Sequence, residues 1–184
     1  MILPVYVYGS PVLRKIAVEV DKNYAGLNAF ISDLWDTMYN SDGVGLAAPQ
    51  VGKSIRVFVI DAAPMSDDDP ALKNFKKTFI NAKIVERSGD DCPFTEGCIS
   101  IPHIREEVYR PPTVRIQYYD ENWEYHDDSF EGIPARIIQH EYDHLEGILF
   151  VDKIPAIRRK LLNGRLTAIT KGKVDVDYKI KIPR

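Results

Sequence analysis

Residues 133–149 constrain the fold more than any other stretch of this chain. At about 100° per residue on a helix, Arg136, Gln139, Asp143 and Glu146 share one arc, which is expected to face water. Ile138, Leu145 and Leu149 share a second, with Tyr142 at its edge. Ile133, Ile137, His140, Glu141, His144 and Ile148 share the third. Two arcs are mainly apolar, so the helix is expected to be buried on most of its surface. Pro134 suits its first turn and Gly147 its end, which places the helix at 133–146.

A helix buried on two sides needs layers around it, and the rest of the sequence supplies strands. The run IRVFVID at 55–61 is β-branched and aromatic. Similar runs cover 78–86, 104–109 and 113–119, and the polar turn Asp120–Glu121–Asn122 predicts a hairpin into 123–130. Leu27, Phe30, Ile31, Leu34, Trp35 and Met38 recur at helical spacing over 26–40. A third helix is expected at 154–164, with Pro155 early and Gly164 late. Residues 1–20 read as extended, 62–76 as a surface loop, and the alternating 173–182 as a last strand. The expected class is α+β. Antiparallel strands pack around a buried central helix, with a further N-terminal helix. A chain of 184 residues suits one domain, 1–184, ending in a basic helix and strand at about 153–184.

The inward arc carries chemistry. His140 and His144 stand four residues apart, so both imidazoles can reach one ion. Glu141 is offset around the helix and can reach a water beside that ion. The plainer alternative is a pair of hydrogen-bonded core histidines with a structural glutamate. A catalytic zinc-type site usually takes three protein ligands. The longer motif H-E-x-x-H-x-x-G-x-x-H would put the third at position 150, which is Phe150. His103 and His126 qualify by type, but each is a lone histidine in a polar setting. Cys98, preceded by Gly97, is the better donor, since a thiolate binds Zn²⁺ or Fe²⁺ strongly. By itself a cysteine reads more readily as a small buried apolar residue than as a ligand, and Cys92 is read that way.

Composition excludes some classes. No apolar run approaches the roughly 20 residues that cross a bilayer. The opening MILPVYVYGSPVLRK lacks the features of a signal peptide, so a cytoplasmic protein is expected. Gly43-x-Gly45 follows a helix and runs into Pro49, the wrong context for a dinucleotide fingerprint. Charge is uneven: residues 153–184 hold 10 Lys and Arg against 2 Asp and Glu, whereas residues 1–152 hold 14 against 25. The plainer reading is a solvated helix and strand offsetting an acidic body; the other is contact with a polyanion.

Three segments together carry a family resemblance. They are Gly43-Val44-Gly45-Leu46-Ala47-Ala48-Pro49-Gln50, Glu96-Gly97-Cys98-Ile99-Ser100, and Gln139-His140-Glu141-Tyr142-Asp143-His144-Leu145. In order, spacing and length the chain resembles the peptide deformylases over about residues 1–165. Ile99 stands where leucine is common, and Pro49 where threonine is also found. The 62–76 loop and the tail after 165 are less family-like.

The resemblance implies removal of the N-formyl group from the N-terminal methionine of new polypeptides. It implies that Cys98, His140 and His144 hold one divalent metal, natively Fe²⁺, with Zn²⁺, Ni²⁺ or Co²⁺ as substitutes. Glu141 would transfer the proton, and the Gln50 amide and the Ile99 backbone N–H would stabilise the oxyanion. Gly45 would let the substrate backbone approach. Val44, Phe94, Ile133 and Ile137 would line the methionine pocket, and Arg105 would steer the polypeptide. The partners are then N-formylmethionyl nascent chains, with the basic segment around Arg158, Arg159, Lys160 and Arg165 as a candidate ribosome contact. Neither a membrane nor a dinucleotide is expected. Two rival readings are a metalloprotease and a non-catalytic relative that kept the fold for binding.

Overall fold

The computed structural model describes residues 1–67 and 69–183. Asp68, within the expected 62–76 loop, and Arg184, at the end of the basic segment, lie outside the described residues. Three α-helices, α1 (Leu27–Asn40), α2 (Gly132–Leu145) and α3 (Ala156–Thr170), accompany strands that are mostly antiparallel, an α+β arrangement. The main sheet has five strands in the order β2-β3-β4-β7-β8. They span Gly45–Ala47, Val57–Asp61, Lys76–Ser88, Thr113–Tyr119 and Tyr125–Glu131. A separate hairpin joins β5 (Cys92–Cys98) to β6 (Ile101–Arg110). A third, short pair runs parallel between β1 (Val5–Tyr6) and β9 (Ile180–Lys181). No helix among the described residues is long and apolar enough to cross a membrane.

Why β3 has no polar alternation is visible in its neighbours. Val57 and Val59 join the cluster that holds Leu27, Phe30, Ile31, Leu34 and Met38 of α1. Phe58 and Ile60 face the opposite way, into the cluster that holds Ile137, Ile138 and Leu145 of α2. Helices cover both sides, so every residue from Val57 to Ile60 is fully buried. Phe58 stacks on Phe79 of β4 at 4.6 Å between ring centroids. Burying one such side chain stabilises the fold by roughly 1.5–3 kcal/mol. A third cluster joins Ile104 and Val108 of β6 to Leu149, Phe150 and Val151, and to Leu162, Leu166 and Ile169 of α3.

The helix ends follow local chemistry. Pro134 lies in the first turn of α2, where its missing N–H costs nothing. Past the helix end, Gly147 has φ +70°, and a Cβ there would stand 2.7 Å from the Arg14 carbonyl oxygen. Glycine is therefore needed both for the backbone angle and for the contact.

Several expectations are corrected. Helix α3 continues through Gly164 to Thr170, because Leu162, Leu166 and Ile169 keep a buried stripe going. That stripe outweighs the roughly 1 kcal/mol penalty of an internal glycine. Strands β2 and β5, which contain Gly45, Pro93 and Gly97, carry no strand-like pattern and were not expected. The alternation over 173–182 reflects an extended segment with one side half-buried, and only Ile180–Lys181 pairs in a ladder. Cys92 is exposed rather than buried. The largest correction concerns the arc of α2 expected to face water: Arg136, Gln139 and Asp143 are 6%, 2% and 4% exposed. The β5–β6 hairpin supplies partners for Arg136 and Asp143, and Pro111, just beyond it, accepts from the Gln139 amide.

Candidate metal centre

Helix α2 delivers two imidazoles and the hairpin delivers a thiol. The His140 and His144 rings lie 5.2 Å apart, one turn along the helix. Cys98 ends β5, where the hairpin turns, and its Sγ lies 3.4 Å from His144 Nε2. One ligand atom from each of Cys98, His140 and His144 lies within 4.8 Å of the other two. Two tetrahedral zinc-type ligands, one sulfur and one nitrogen, stand about 3.6 Å apart by bond length and angle. The observed sulfur–nitrogen distance fits that spacing. Phe150, at the position of the longer motif's last histidine, stacks on His140 with centroids 6.0 Å apart.

The His140 ring is oriented by a residue to which the sequence reading gave no role. His140 Nδ1 donates to Glu96 Oε1 at 2.8 Å, which leaves Nε2 for the ion. Glu96 is itself clamped. Arg110 donates to both of its oxygens, from Nε at 2.7 Å and from Nη2 at 2.9 Å. Arg110 Nη1 also reaches Asp143 Oδ2 at 2.7 Å. Arg136 Nη1 lies 3.2 Å from Glu96 Oε2 and donates to the Val108 carbonyl at 3.0 Å, while its Nη2 reaches the Cys92 carbonyl at 2.6 Å. Two arginines and two carboxylates thus form a nearly neutral buried set, the condition under which buried charge is tolerated. Burial pushes the Glu96 carboxyl up, but the hydrogen bonds from His140 and Arg110 outweigh it and hold the group well below the usual range.

Burial drives His144 towards its neutral, ligating form, and the neighbouring His140 adds to this. Burial raises the Glu141 carboxyl to about 7. Its Oε2 has no hydrogen-bond partner among the described residues, and neither does His144 Nδ1. A buried carboxylate oxygen without a partner, lining the same cleft as His140 and Cys98, is available to a reacting proton. A second cluster, Asp120, Glu124 and His126, is more open, and Asp120 Oδ1 is engaged by the N–H groups of Asn122 and Glu124 as a turn cap.

Gln50 is 1% exposed and fixed at both ends of its amide. Its Oε1 accepts from the Ala47 N–H at 2.8 Å, and its Nε2 points at Ser100 Oγ (3.2 Å) and Cys98 Sγ (3.4 Å). Gly45 lies directly against the acid: a Cβ there would stand 2.5 Å from Glu141 Oε1. Gly45→Ala is accordingly expected to leave metal content unchanged and to lower kcat on the order of 10²-fold by displacing that carboxylate. Side-by-side metal analysis and turnover kinetics check this, and an unaltered kcat would show that the carboxylate yields without consequence.

These groups open onto a cleft of about 720 Å³. Val44 and Gly45 line it, as do Phe94, Ile99, Arg105 and Ile137. Ile133, one turn nearer the start of α2, packs against the sheet core instead of the cleft. Arg105 also flanks Gly97, where a Cβ would meet its Nη1 at 3.3 Å. Residues 175–178 of the tail form a further wall. Of the groups around His140, Glu96 carried a sequence signal, since it lies two residues before the thiol.

Fold and site together define the class: a hydrolase built on a His-Glu-x-x-His helix, with a cysteine completing a group that could hold a metal ion. The sequence profile described as polypeptide deformylase matches residues 2–160. A peptide deformylase from Christiangramia forsetii is 50% identical over 190 residues, covering 100% of this chain and 97% of its own. One from Flavobacterium johnsoniae is 52% identical over 188 residues, covering 98% and 96%. The crystal structure of the Plasmodium falciparum peptide deformylase superposes with a TM-score of 0.82 at 37% identity, covering 91% of this chain and 95% of that one. That of the Legionella pneumophila enzyme gives 0.81 at 34% identity, covering 94% and 98%. The chain belongs to the polypeptide deformylase family. It is an enzyme of that metal-dependent family, removing the N-formyl group from the N-terminal methionine of newly synthesised polypeptides.

Proposed function

We propose that Cys98, His140 and His144 hold one divalent metal and that Glu141 transfers the proton during deformylation. The observation that carries this is the convergence of three ligand atoms within 4.8 Å of one another beside a buried, unpartnered carboxylate oxygen. The donor set, one thiolate and two imidazoles, suits Fe²⁺ as the native ion, with Zn²⁺, Ni²⁺ or Co²⁺ as substitutes. Such an ion supplies Lewis acidity and makes water nucleophilic at neutral pH.

The chain's own groups do the rest. Glu141 takes a proton from the attacking water and returns it to the amine nitrogen as the C–N bond breaks. The Gln50 Nε2–H and the Ile99 backbone N–H receive the formyl oxygen as it gains negative charge; one donor of this kind is worth about 3 kcal/mol in the transition state. Gln50 can do this without reorganising, because its carbonyl is already held by Ala47. The peptide lies extended along Val44 and Gly45, adding to the edge of the main sheet, where β2 is the outermost strand. Val44, Phe94 and Ile137 receive the methionine side chain, and Arg105 steers the chain beyond it. The H-E-x-x-H helix is the central element of the fold, and the described residues work as one catalytic domain. The enzyme acts in the cytoplasm, and the basic segment of α3, with Arg158, Arg159, Lys160 and Arg165, is its candidate contact with the ribosome.

Metal analysis and formate release on formyl-Met-Ala, measured on one anaerobic preparation, test the reading. One iron per chain together with rapid formate release is the expected result. Cys98→Ala is expected to lose most of its metal and nearly all turnover. Full metal occupancy in that variant would remove Cys98 from the ligand set.

A further inference from the structure

Residues 99 and 100 connect β5 to β6 and take no part in the ladder; Cys98 already pairs with Ile101 across the turn. Their backbone therefore needs restraint from outside the hairpin. It comes from both ends of the chain. The Tyr8 N–H donates to the Ser100 carbonyl at 2.8 Å. The Tyr178 hydroxyl donates to the Ile99 carbonyl at 2.8 Å.

The tail that carries Tyr178 is itself anchored. Gly172, at φ +67°, turns the chain back after α3. His103 Nε2 then meets the Asp175 carbonyl at 2.6 Å, and Arg165 of α3 holds the His103 carbonyl. Beyond Tyr178, Ile180–Lys181 pairs with Val5–Tyr6. The tyrosine is thus fixed on both sides, with its hydroxyl on the turn that follows Cys98. It also lines the cleft. The family profile ends at residue 160, so this strap lies outside the matched region.

We infer that Tyr178 is a positioning residue for deformylation, its hydroxyl holding Ile99 so that the N–H next to Cys98 stays aimed into the cleft. The inference rests on the reading of the Ile99 N–H as an oxyanion donor. A hydrogen bond to a peptide carbonyl fixes the plane of the peptide that follows. With Sγ of the preceding residue drawn to the metal, Ile99 is then held from both sides. Without the hydroxyl the two-residue turn can pivot, and the N–H samples directions that miss the formyl oxygen. That loss falls on the transition state rather than on substrate binding.

Tyr178→Phe removes the hydroxyl and keeps the ring. Its kcat on formyl-Met-Ala is expected to fall about fivefold to tenfold, the size of one neutral hydrogen bond, with KM changed less than about twofold. Metal content should not change. Amide hydrogen exchange at Ile99 and Ser100 should accelerate, a readout independent of turnover. Lys179→Ala, on an exposed side chain of the same strap, should leave all of these values at the parental level. A second arm replaces the Ile99 amide by an ester, which deletes the N–H itself. That ester variant should be slow, and adding Tyr178→Phe to it should cost nothing further. If the ester is slow but Tyr178→Phe alone keeps full kcat, the tyrosine has no positioning role. If Tyr178→Phe slows both backgrounds equally, it acts elsewhere and the inference falls. If the ester keeps full kcat, the oxyanion assignment of Ile99 is itself wrong, and the inference falls with it.

Discussion

Glu141→Gln is expected to bind its metal normally and to lose kcat on the order of 10²–10⁴-fold, the range for removal of a positioned general acid–base group. The substitution preserves shape, so it retains the contact with Gly45 and the packing of a residue that is 4% exposed. What it removes is proton affinity. A glutamine cannot take the proton released when water attacks, nor return it to the departing amine. Glu141 is not among the atoms that cluster as ligands, so metal content should be unaffected. KM should change far less than kcat, because the lost interaction belongs to the transition state. Loss of metal in this variant would instead make Glu141 a ligand. Full turnover with metal bound would assign the proton transfer to another group.

The sequence was informative about this site because its signals were local. Two histidines four residues apart on one helix face can be read from spacing alone, and the identity of the third ligand was narrowed by the absence of a histidine at Phe150. The surroundings of the site were not legible, because they arise from pairing between distant strands. Arg136, Gln139 and Asp143 form a polar arc that looks solvated on a helical wheel. The partners of Arg136 and Asp143 lie on the β5–β6 hairpin, whose first strand holds Pro93 and Gly97 and lacks an alternating pattern, and that of Gln139 is Pro111 just beyond it. Arg110, one position past the expected strand at 104–109, is 3% exposed and binds both Glu96 and Asp143. Charge pairing of this kind has no period, so a periodicity argument assigns such residues to the surface. The tail illustrates the same gap: its alternation was visible, but the partner of Tyr178, 79 positions away, was not.

The buried set around Glu96 leads to the second large effect. Glu96→Ala is expected to destabilise the protein by about 3–5 kcal/mol, the usual cost of breaking a buried ion pair by removing one partner. For a chain of this length that corresponds to a fall in Tm of roughly 10 °C. Arg110 would keep Asp143 as its carboxylate partner, and Arg136 would lose its carboxylate and keep the Val108 and Cys92 carbonyls. Excess positive charge would then stand beside the metal site, where it opposes a divalent cation. His140 would lose the acceptor that fixes its Nδ1–H, and metal affinity is expected to fall about 10–100-fold. Glu96→Gln separates the two effects. Its side-chain oxygen can still accept from His140 Nδ1, so ring orientation is largely restored while the unpaired arginine charge remains. Glu96→Gln should therefore recover more metal affinity than stability. Thermal unfolding of the metal-free forms and competitive metal titration measure the two separately. If Glu96→Ala unfolds within about 2 °C of the parent, the four charged groups contribute little net stability. If both variants lose metal affinity equally, the carboxylate acts on the ion through its charge and not through the orientation of His140.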